Sequence, residues 1–280
     1  MFLCSRKISF FGILAFLFAF PGCATPDPTA SKKRVRALED LGVSHFIEGK
    51  PNLAVKYLIE AAEADPKDAQ IAHSLGLVYR DLGIFDSSIA EFRRALALKV
   101  DFPQAVNNMG VTYLVMGRVD DAISCFKKAA AIISYATPHY AFLNLGLAYY
   151  QKHEYTCAIN YYKKALRIDS SFVIAYENLG LAYEAVGEWE QAWNAYQASI
   201  SHEPDSPNAY LLLGKLHRRL GQRAEAVEVF QKAVAKDPDG WIGREALQFL
   251  KELGVIPTGE NSFKIQKYIA NWKDISAISG

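Results

Sequence analysis

Six glycines recur along this 280-residue chain at spacings of 34, 34, 36, 34 and 34 residues, and each directly follows a Leu or Met. A period of this length is typical of repeat architectures, in which each unit buries its apolar face against its neighbours. We therefore predict a linear array of similar units in place of a single globular core. The six glycines are Gly42, Gly76, Gly110, Gly146, Gly180 and Gly214.

Small and bulky residues follow each glycine at fixed distances, as two packed helices require. An Ala or Ser lies twelve residues after each glycine, a Leu, Phe or Tyr lies four residues later, and another Ala or Ser follows three residues after that. Small residues let two antiparallel helices approach closely, and the bulky residue fills the space between them. The turn between the helices needs a residue with positive φ, which is Gly in five units and His153 in the fourth.

This pattern is similar to the tetratricopeptide repeat (TPR), a family of helix-turn-helix units. The resemblance implies an all-α, right-handed superhelical solenoid whose first helices line a concave inner face. A capping helix is predicted over 241–253, and the C-terminal tail 254–280 either packs back on the solenoid or meets a partner. The six predicted repeats span 35–68, 69–102, 103–136, 139–172, 173–206 and 207–240.

The N-terminus has the composition of an export signal. Arg6 and Lys7 precede an uncharged apolar run over residues 8–20. At about 1.5 Å per residue this run is too short to span a membrane as a helix, whereas a basic start followed by a short apolar run is typical of a secretory signal. We therefore predict a signal peptide over 1–22 and a mature chain outside the cytoplasm.

The predicted signal peptide ends at Gly22-Cys23, which resembles a bacterial lipobox. The resemblance implies that Cys23 is lipidated and becomes the mature N-terminus, and Ala24 after it is similar to lipoproteins of the outer membrane. The alternative is cleavage after Ala24 by the general signal peptidase, without a lipid. The segment 23–34 is predicted to be a flexible linker between the membrane and the folded body.

Composition excludes several classes of function. The chain carries 31 Lys and Arg against 30 Asp and Glu, which argues against a nucleic-acid partner, and its four cysteines are too few for a disulfide scaffold. No metal-ligand spacing, phosphate-binding loop or catalytic constellation is present, so we expect no enzymatic activity, metal, cofactor or small-molecule substrate. Cys125 and Cys157 either pair or are small buried apolar side chains.

The predicted partner-binding surface is the middle of the concave groove. Asn108, Asn144 and Asn178 occupy one equivalent position in three successive repeats, and a row of amides can bind an extended backbone. The alternative is that these amides only orient neighbouring helices. The rest of the predicted lining is largely apolar, which suits a hydrophobic strand or an amphipathic helix. The predicted groove residues are Asn107, Asn108, Val111, Leu114, Tyr140, Leu143, Asn144, Leu147, Tyr150, Asn178 and Leu181.

Two extra residues lie between the third and fourth repeats, where the chain reads Tyr135-Ala136-Thr137-Pro138. This insertion, the lipobox and the six repeats together resemble the type IV pilus biogenesis lipoproteins of the PilF/PilW type, the pilotins. The resemblance implies an outer-membrane scaffold, facing the periplasm, that helps a secretin pore ring to reach the membrane and assemble. The alternative is another periplasmic TPR adaptor, such as one that positions peptidoglycan hydrolases or envelope assembly factors.

Overall fold

The computed structural model describes residues 28–255, and every regular element in that range is an α-helix. The described residues form thirteen helices, none of which is both long and apolar enough to cross a membrane. In chain order, α1 to α13 are Pro28–Ile47, Pro51–Ala64, Ala69–Asp81, Phe85–Leu98, Pro103–Val115, Val119–Ala131, Pro138–Gln151, Tyr155–Ile168, Val173–Ala185, Trp189–His202, Pro207–Arg219, Arg223–Lys236 and Trp241–Glu252.

The helices come in six pairs followed by one single helix. Within each pair, three residues join the first (A) helix to the second (B) helix, and the middle residue has a positive φ. In five pairs that residue is glycine. In the fourth it is His153, with φ 61°, whose Nδ1 lies 2.8 Å from the Tyr155 hydroxyl. This succession of helix pairs confirms the predicted TPR solenoid.

The connection between α6 and α7 is longer than its counterparts. Four residues join every other B helix to the helix that follows it, but six residues, 132–137, join α6 to α7. Tyr135 in this connection is buried, and the Ser134 hydroxyl lies 2.8 Å from both carboxylate oxygens of Asp101. The two extra residues are therefore anchored to the core and to the preceding inter-repeat loop.

The first helix begins earlier than the sequence predicted. The linker predicted over 23–34 overlaps α1, which starts at Pro28. Proline has no N–H, and its fixed φ suits the first turn of a helix, so a proline in this segment marks a helix start and does not prevent one. The predicted signal peptide over 1–22, the predicted lipidation site Cys23 and residues 256–280 of the predicted tail lie outside the described residues.

Each recurring glycine lets a bulky side chain of the B helix lie directly against the A helix. A Cβ atom added at Gly146 would lie 2.3 Å from Tyr162 Cε1, and one added at Gly76 would lie 2.7 Å from Phe92 Cε1. Close-packed interiors leave no room for such an atom, so any larger residue must displace the ring. The bulky side chains at all six positions are fully buried: Leu58, Phe92, Phe126, Tyr162, Tyr196 and Phe230.

The A helices form the inner layer of the array. Each A helix contacts the A helix of the next pair, whereas successive B helices of the described chain do not come within 8 Å of each other between Cα atoms. Helices that converge on one side of an array and diverge on the other make the array curve. The A helices therefore line the concave face.

The last helix, α13, covers the end of the sixth pair, as predicted for 241–253. Ala246 and Leu250 are fully buried against α11 and α12. The carboxylate of Asp237 accepts a hydrogen bond of 3.1 Å from the backbone N–H of Ile242, which satisfies one of the free donors of the first turn. The cap thus removes the apolar surface that an unpaired last repeat would expose.

We expect Gly146→Leu to lower the free energy of unfolding by about 1–3 kcal/mol or more, because overpacking forces the Tyr162 ring out of its position. The unfolding midpoint in heat or denaturant measures the effect. The matched control is Gly146→Leu combined with Tyr162→Ala, in which the added side chain takes the place of the ring. The two substitutions should then cost less together than the sum of their separate costs. An unchanged midpoint for Gly146→Leu would contradict the contact.

Candidate partner-binding groove

The A helices bring the predicted groove residues together on the concave face, but at different depths. Asn107 and Leu143 are buried, and Tyr140 is 45% exposed. The other predicted residues are half-buried: Asn108, Val111, Leu114, Asn144, Leu147, Tyr150, Asn178 and Leu181. Part of the predicted surface therefore packs within the protein, and Tyr140 is its most exposed member.

Two of the three predicted amides bridge neighbouring A helices. Asn108 Nδ2 donates to His73 Nε2 at 2.9 Å, and Asn144 Nδ2 donates to Asn107 Oδ1 at 3.1 Å. Asn178 Nδ2 instead donates to a backbone carbonyl of its own helix at 2.7 Å. These bonds favour the helix-orienting role for the amides. Within residues 28–255 the three side-chain oxygens have no hydrogen-bond donor, so they remain free to accept a bond from a partner.

Exposed apolar side chains occupy the middle of the groove. Val115, Tyr140 and Ile174 are 61%, 45% and 51% exposed. Tyr140 and Ile174 share the register position of Asn208, whose amide reaches the preceding A helix, so this position faces along the concave side. We call the following set the apolar middle of the groove: Val111, Val115, Tyr140, Leu147, Ile174 and Leu181.

Polar groups at the C-terminal end of the groove are paired with one another. The buried Glu177 accepts a 2.9 Å hydrogen bond from Asn208, and burial is the main reason why the pKa of Glu177 is raised. The hydroxyl of Tyr196 donates to Glu184 Oε1 at 2.6 Å, and Arg219 Nη1 lies 3.5 Å from the other oxygen of Glu184. These groups fasten α9 to α10 and α11.

Two further ion pairs join the last A helix to the capping helix. Lys215 Nζ lies 2.7 Å from Glu245, and Arg218 Nη1 lies 2.7 Å from Glu252. The charges of this end of the groove are therefore satisfied within the protein.

The sequence analysis missed two polar residues of the second repeat, His73 and Arg80. His73 is only 7% exposed, and its ring centroid lies 5.7 Å from that of Phe92 and 5.0 Å from that of Phe102. Burial, and to a lesser degree the charge of Arg80, lowers the pKa of His73 to about 4. The sequence did contain a sign of them, because both residues are ionisable whereas the equivalent positions of the next two repeats carry uncharged side chains.

The other reactive side chains of the described chain show no assembled chemistry. Cys125 is buried, Cys157 is half-buried, and both are free thiols, with burial raising the pKa of Cys125. Their environment fits the reading as small apolar side chains. In residues 28–255 no group of three or more His, Cys, Asp or Glu side chains is placed to hold a metal ion.

Family comparisons agree with the fold. One family model described as "Tetratricopeptide repeat" matches residues 34–106 and 177–240, and a second model with the same description matches 103–134. A third, described as "TPR repeat", matches 146–187. The chain belongs to the tetratricopeptide-repeat family. A curated relative, the Hsp70-Hsp90 organising protein of Plasmodium falciparum, is 31% identical over 74 residues, which make up 26% of this chain and 29% of the relative. The likeness therefore spans less than a third of that relative.

Two solved structures share the fold over nearly their whole length. PilW, described as a widely conserved type IV pilus biogenesis factor, is 23% identical with a TM-score of 0.68, and the alignment covers 76% of this chain and 98% of PilW. PilF of Pseudomonas aeruginosa is 21% identical with a TM-score of 0.64, covering 79% of this chain and 99% of PilF. At these identities the likeness concerns the fold. The fold and the family make this chain a TPR scaffold for protein–protein interaction.

We expect acidification to destabilise the fold through His73. The pKa of the ring is 6.5 when unfolded and about 4 when folded. Between pH 6.5 and pH 4 the unfolded state binds one more proton on His73 than the folded state does. The contribution of the neutral ring to the free energy of unfolding is therefore fully present above pH 6.5. It is lost as the pH falls toward 4, by about 3 kcal/mol in total.

The control is His73→Gln, which has a similar shape and does not titrate. From pH 7 to pH 5 the unfolding free energy of the wild type should fall relative to this variant by about 2 kcal/mol. Denaturant titrations at each pH measure the difference. Parallel pH curves for the two proteins would show that His73 is not held neutral.

Proposed function

We propose that the protein is an outer-membrane lipoprotein on the periplasmic side that binds a secretin-type pore subunit in its concave groove and so aids type IV pilus assembly. The observation that carries the binding part is the exposed apolar middle of the groove. The pilus part is supported by the likeness in fold to PilW and PilF along 98% and 99% of those chains, together with the insertion before α7.

The apolar middle is suited to a protein partner because it has exposed apolar side chains on three successive A helices, α5, α7 and α9. Val115, Tyr140 and Ile174 keep 61%, 45% and 51% of their surface in water, and a partner that covers them gains about 25 cal/mol for each Å² of apolar surface removed. Contiguous apolar surface on a soluble face typically marks a site of interaction. The flanking polar groups are largely bonded to one another, so the middle is where a partner gains most.

We expect Tyr140→Asp combined with Ile174→Asp to abolish partner binding while the fold is retained, because both side chains are about half exposed. As central contacts, each should contribute about 2 kcal/mol or more to binding. Leu147 and Tyr150, which the sequence analysis also placed in the groove, are less suitable for this test. Both pack partly against the core, so an Asp at either would also destabilise the fold. The control is Trp193→Asp, on an outer helix and 40% exposed.

Site-specific photo-crosslinking identifies the partner. A photoreactive phenylalanine analogue replaces Tyr140 in one variant and Trp193 in another, and adducts formed in intact membranes are identified by mass spectrometry. A secretin adduct from position 140 alone supports the proposal. A peptidoglycan hydrolase or another envelope assembly factor at that position supports the alternative adaptor role and contradicts the pilus part. Equal adducts from both positions contradict the groove.

The proposed anchor is tested separately from the groove. We expect the mature protein to begin at Cys23 and to carry its lipid there, so that Cys23→Ser releases it from the membrane fraction. The control is Cys4→Ser, which changes a cysteine of the predicted signal peptide outside the lipobox. Mass spectrometry of the mature N-terminus decides between the two kinds of processing. A soluble product that begins at Thr25 would contradict lipidation.

A further inference from the structure

Arg80 is a partly buried cation in the concave groove without an ion pair in the described chain, and the charge of the neighbouring Asp81 acts on it from beyond 4.0 Å. It lies on α3, four residues after Gly76, and its side chain is half-buried. Its Nη1 atom has no accessible surface and no hydrogen-bond partner, and burial lowers the pKa of the guanidinium. Among residues 28–255 no carboxylate lies within 4.0 Å of it.

Charged groups at the same register position of later repeats are paired. Glu184 accepts a hydrogen bond from Tyr196, and Arg218 pairs with Glu252 in α13. Burying a charge without a partner is costly, so proteins normally pair such groups or keep them in water. Arg80 is the exception among these equivalent positions, which indicates that its counter-ion comes from outside the described chain.

A second donor without an acceptor lies on the same helix, seven residues and about 10 Å before Arg80. His73 Nε2 accepts a hydrogen bond from Asn108, so in the neutral ring the proton is on Nδ1. That Nδ1 is buried and has no acceptor, and the charge of Arg80 acts on this ring. The second repeat therefore holds two buried donors without acceptors, and of the two residues Arg80 is the one whose side chain keeps part of its surface in water, within reach of a partner.

The distance to the apolar middle fits one extended segment. Neighbouring A helices pack about 10 Å apart, so Tyr140 on α7 and Ile174 on α9 lie two and three steps, about 20 and 30 Å, to the side of Arg80. Both also lie ten register positions, about 15 Å, from Arg80 along the helix axis, so the direct distances are about 25 and 34 Å. An extended chain advances about 3.3 Å per residue, so these spans correspond to about eight to ten residues. One segment can therefore reach Arg80 and the apolar middle together.

We propose, resting on the function proposed above, that Arg80 binds a side-chain carboxylate of the partner segment whose apolar side chains cover the middle of the groove. The occupant is a protein segment with an internal Asp or Glu about eight to ten residues from its apolar side chains. The acidic residue is placed inside the segment, and not at its C-terminus, because the groove continues past Arg80 on both sides, over α1 and over α5. The carboxylate fixes the register of the segment, and the apolar contacts hold it.

Peptide display tests this chemistry without a known partner. A library of random twelve-residue peptides is selected on the chain from residue 24 onward, in parallel with Arg80→Gln and with the charge-matched control Arg167→Gln. Arg167 is an exposed cation on the outer helix α8. We expect Asp or Glu at a fixed distance from apolar residues with the wild type and the control. With Arg80→Gln the acidic preference should vanish and the apolar preference remain.

Synthetic versions of the selected peptides give the magnitude. A hydrogen bond to a charged group is worth a change in Kd of about 10- to 100-fold, so Arg80→Gln should weaken binding by that factor. Replacing the acidic residue of the peptide with its amide should weaken binding to the wild type equally and leave binding to Arg80→Gln unchanged. Arg80→Met should raise the thermal midpoint by about 2–4 °C, since it removes an unpaired buried charge.

The outcomes separate this inference from the proposed function. Apolar preference without an acidic preference in wild-type selections overturns the role of Arg80 and leaves the groove intact. Selections with no dependence on Tyr140 and Ile174 overturn the groove itself. Loss of binding when the peptide C-terminus is amidated shows that a terminal carboxylate is bound, and overturns the internal one. A gain in peptide affinity from Glu260→Gln with Asp274→Asn shows that the chain's own tail supplies the anion, and also overturns the proposal.

Discussion

The contact between a glycine of the A helix and the bulky side chain of the B helix sets the spacing of the two layers throughout this protein. Six equivalent contacts impose the same separation on six helix pairs, because neither the buried side chain nor the glycine backbone can yield. Equal spacing keeps the A helices in a common register. Residues separated by one repeat therefore meet on the concave face, and the groove is a product of this regular packing.

The polar groups on the concave face differ in how many of their hydrogen bonds and ion pairs are formed within the protein. In the last two repeats the carboxylates and cations bond one another across α9, α11 and α13, which stabilises the end of the array but leaves little for a ligand. In the second repeat His73 and Arg80 keep donors without acceptors. Natural proteins tolerate such local loss of stability mainly where binding requires it. The two ends of one groove thus differ in how completely their polar groups are bonded within the protein.

The features that depend on local chemistry could be read from the sequence. The glycine spacing predicted the helix pairs, and His153 was placed at positive φ because the turn needs that conformation. The start of α1 was missed, since proline stops a helix in its interior but suits its first turn.

The hydrogen bonds of the groove could not be predicted because each depends on a side chain one repeat away. Asn144 reaches Asn107 on the preceding A helix, whereas Asn178 meets Leu143 at the corresponding place and turns to its own backbone. The isolation of Arg80 depends on every element around it.

Because each repeat adds one equal step, the two repeats before α5 also set how far the apolar middle lies from the N-terminus. Removing a whole repeat would preserve the local contacts and shorten that distance by about 10 Å. The solenoid is in this sense a spacer whose length is counted in repeats, and it holds the apolar middle of the groove at a fixed distance from the first helix.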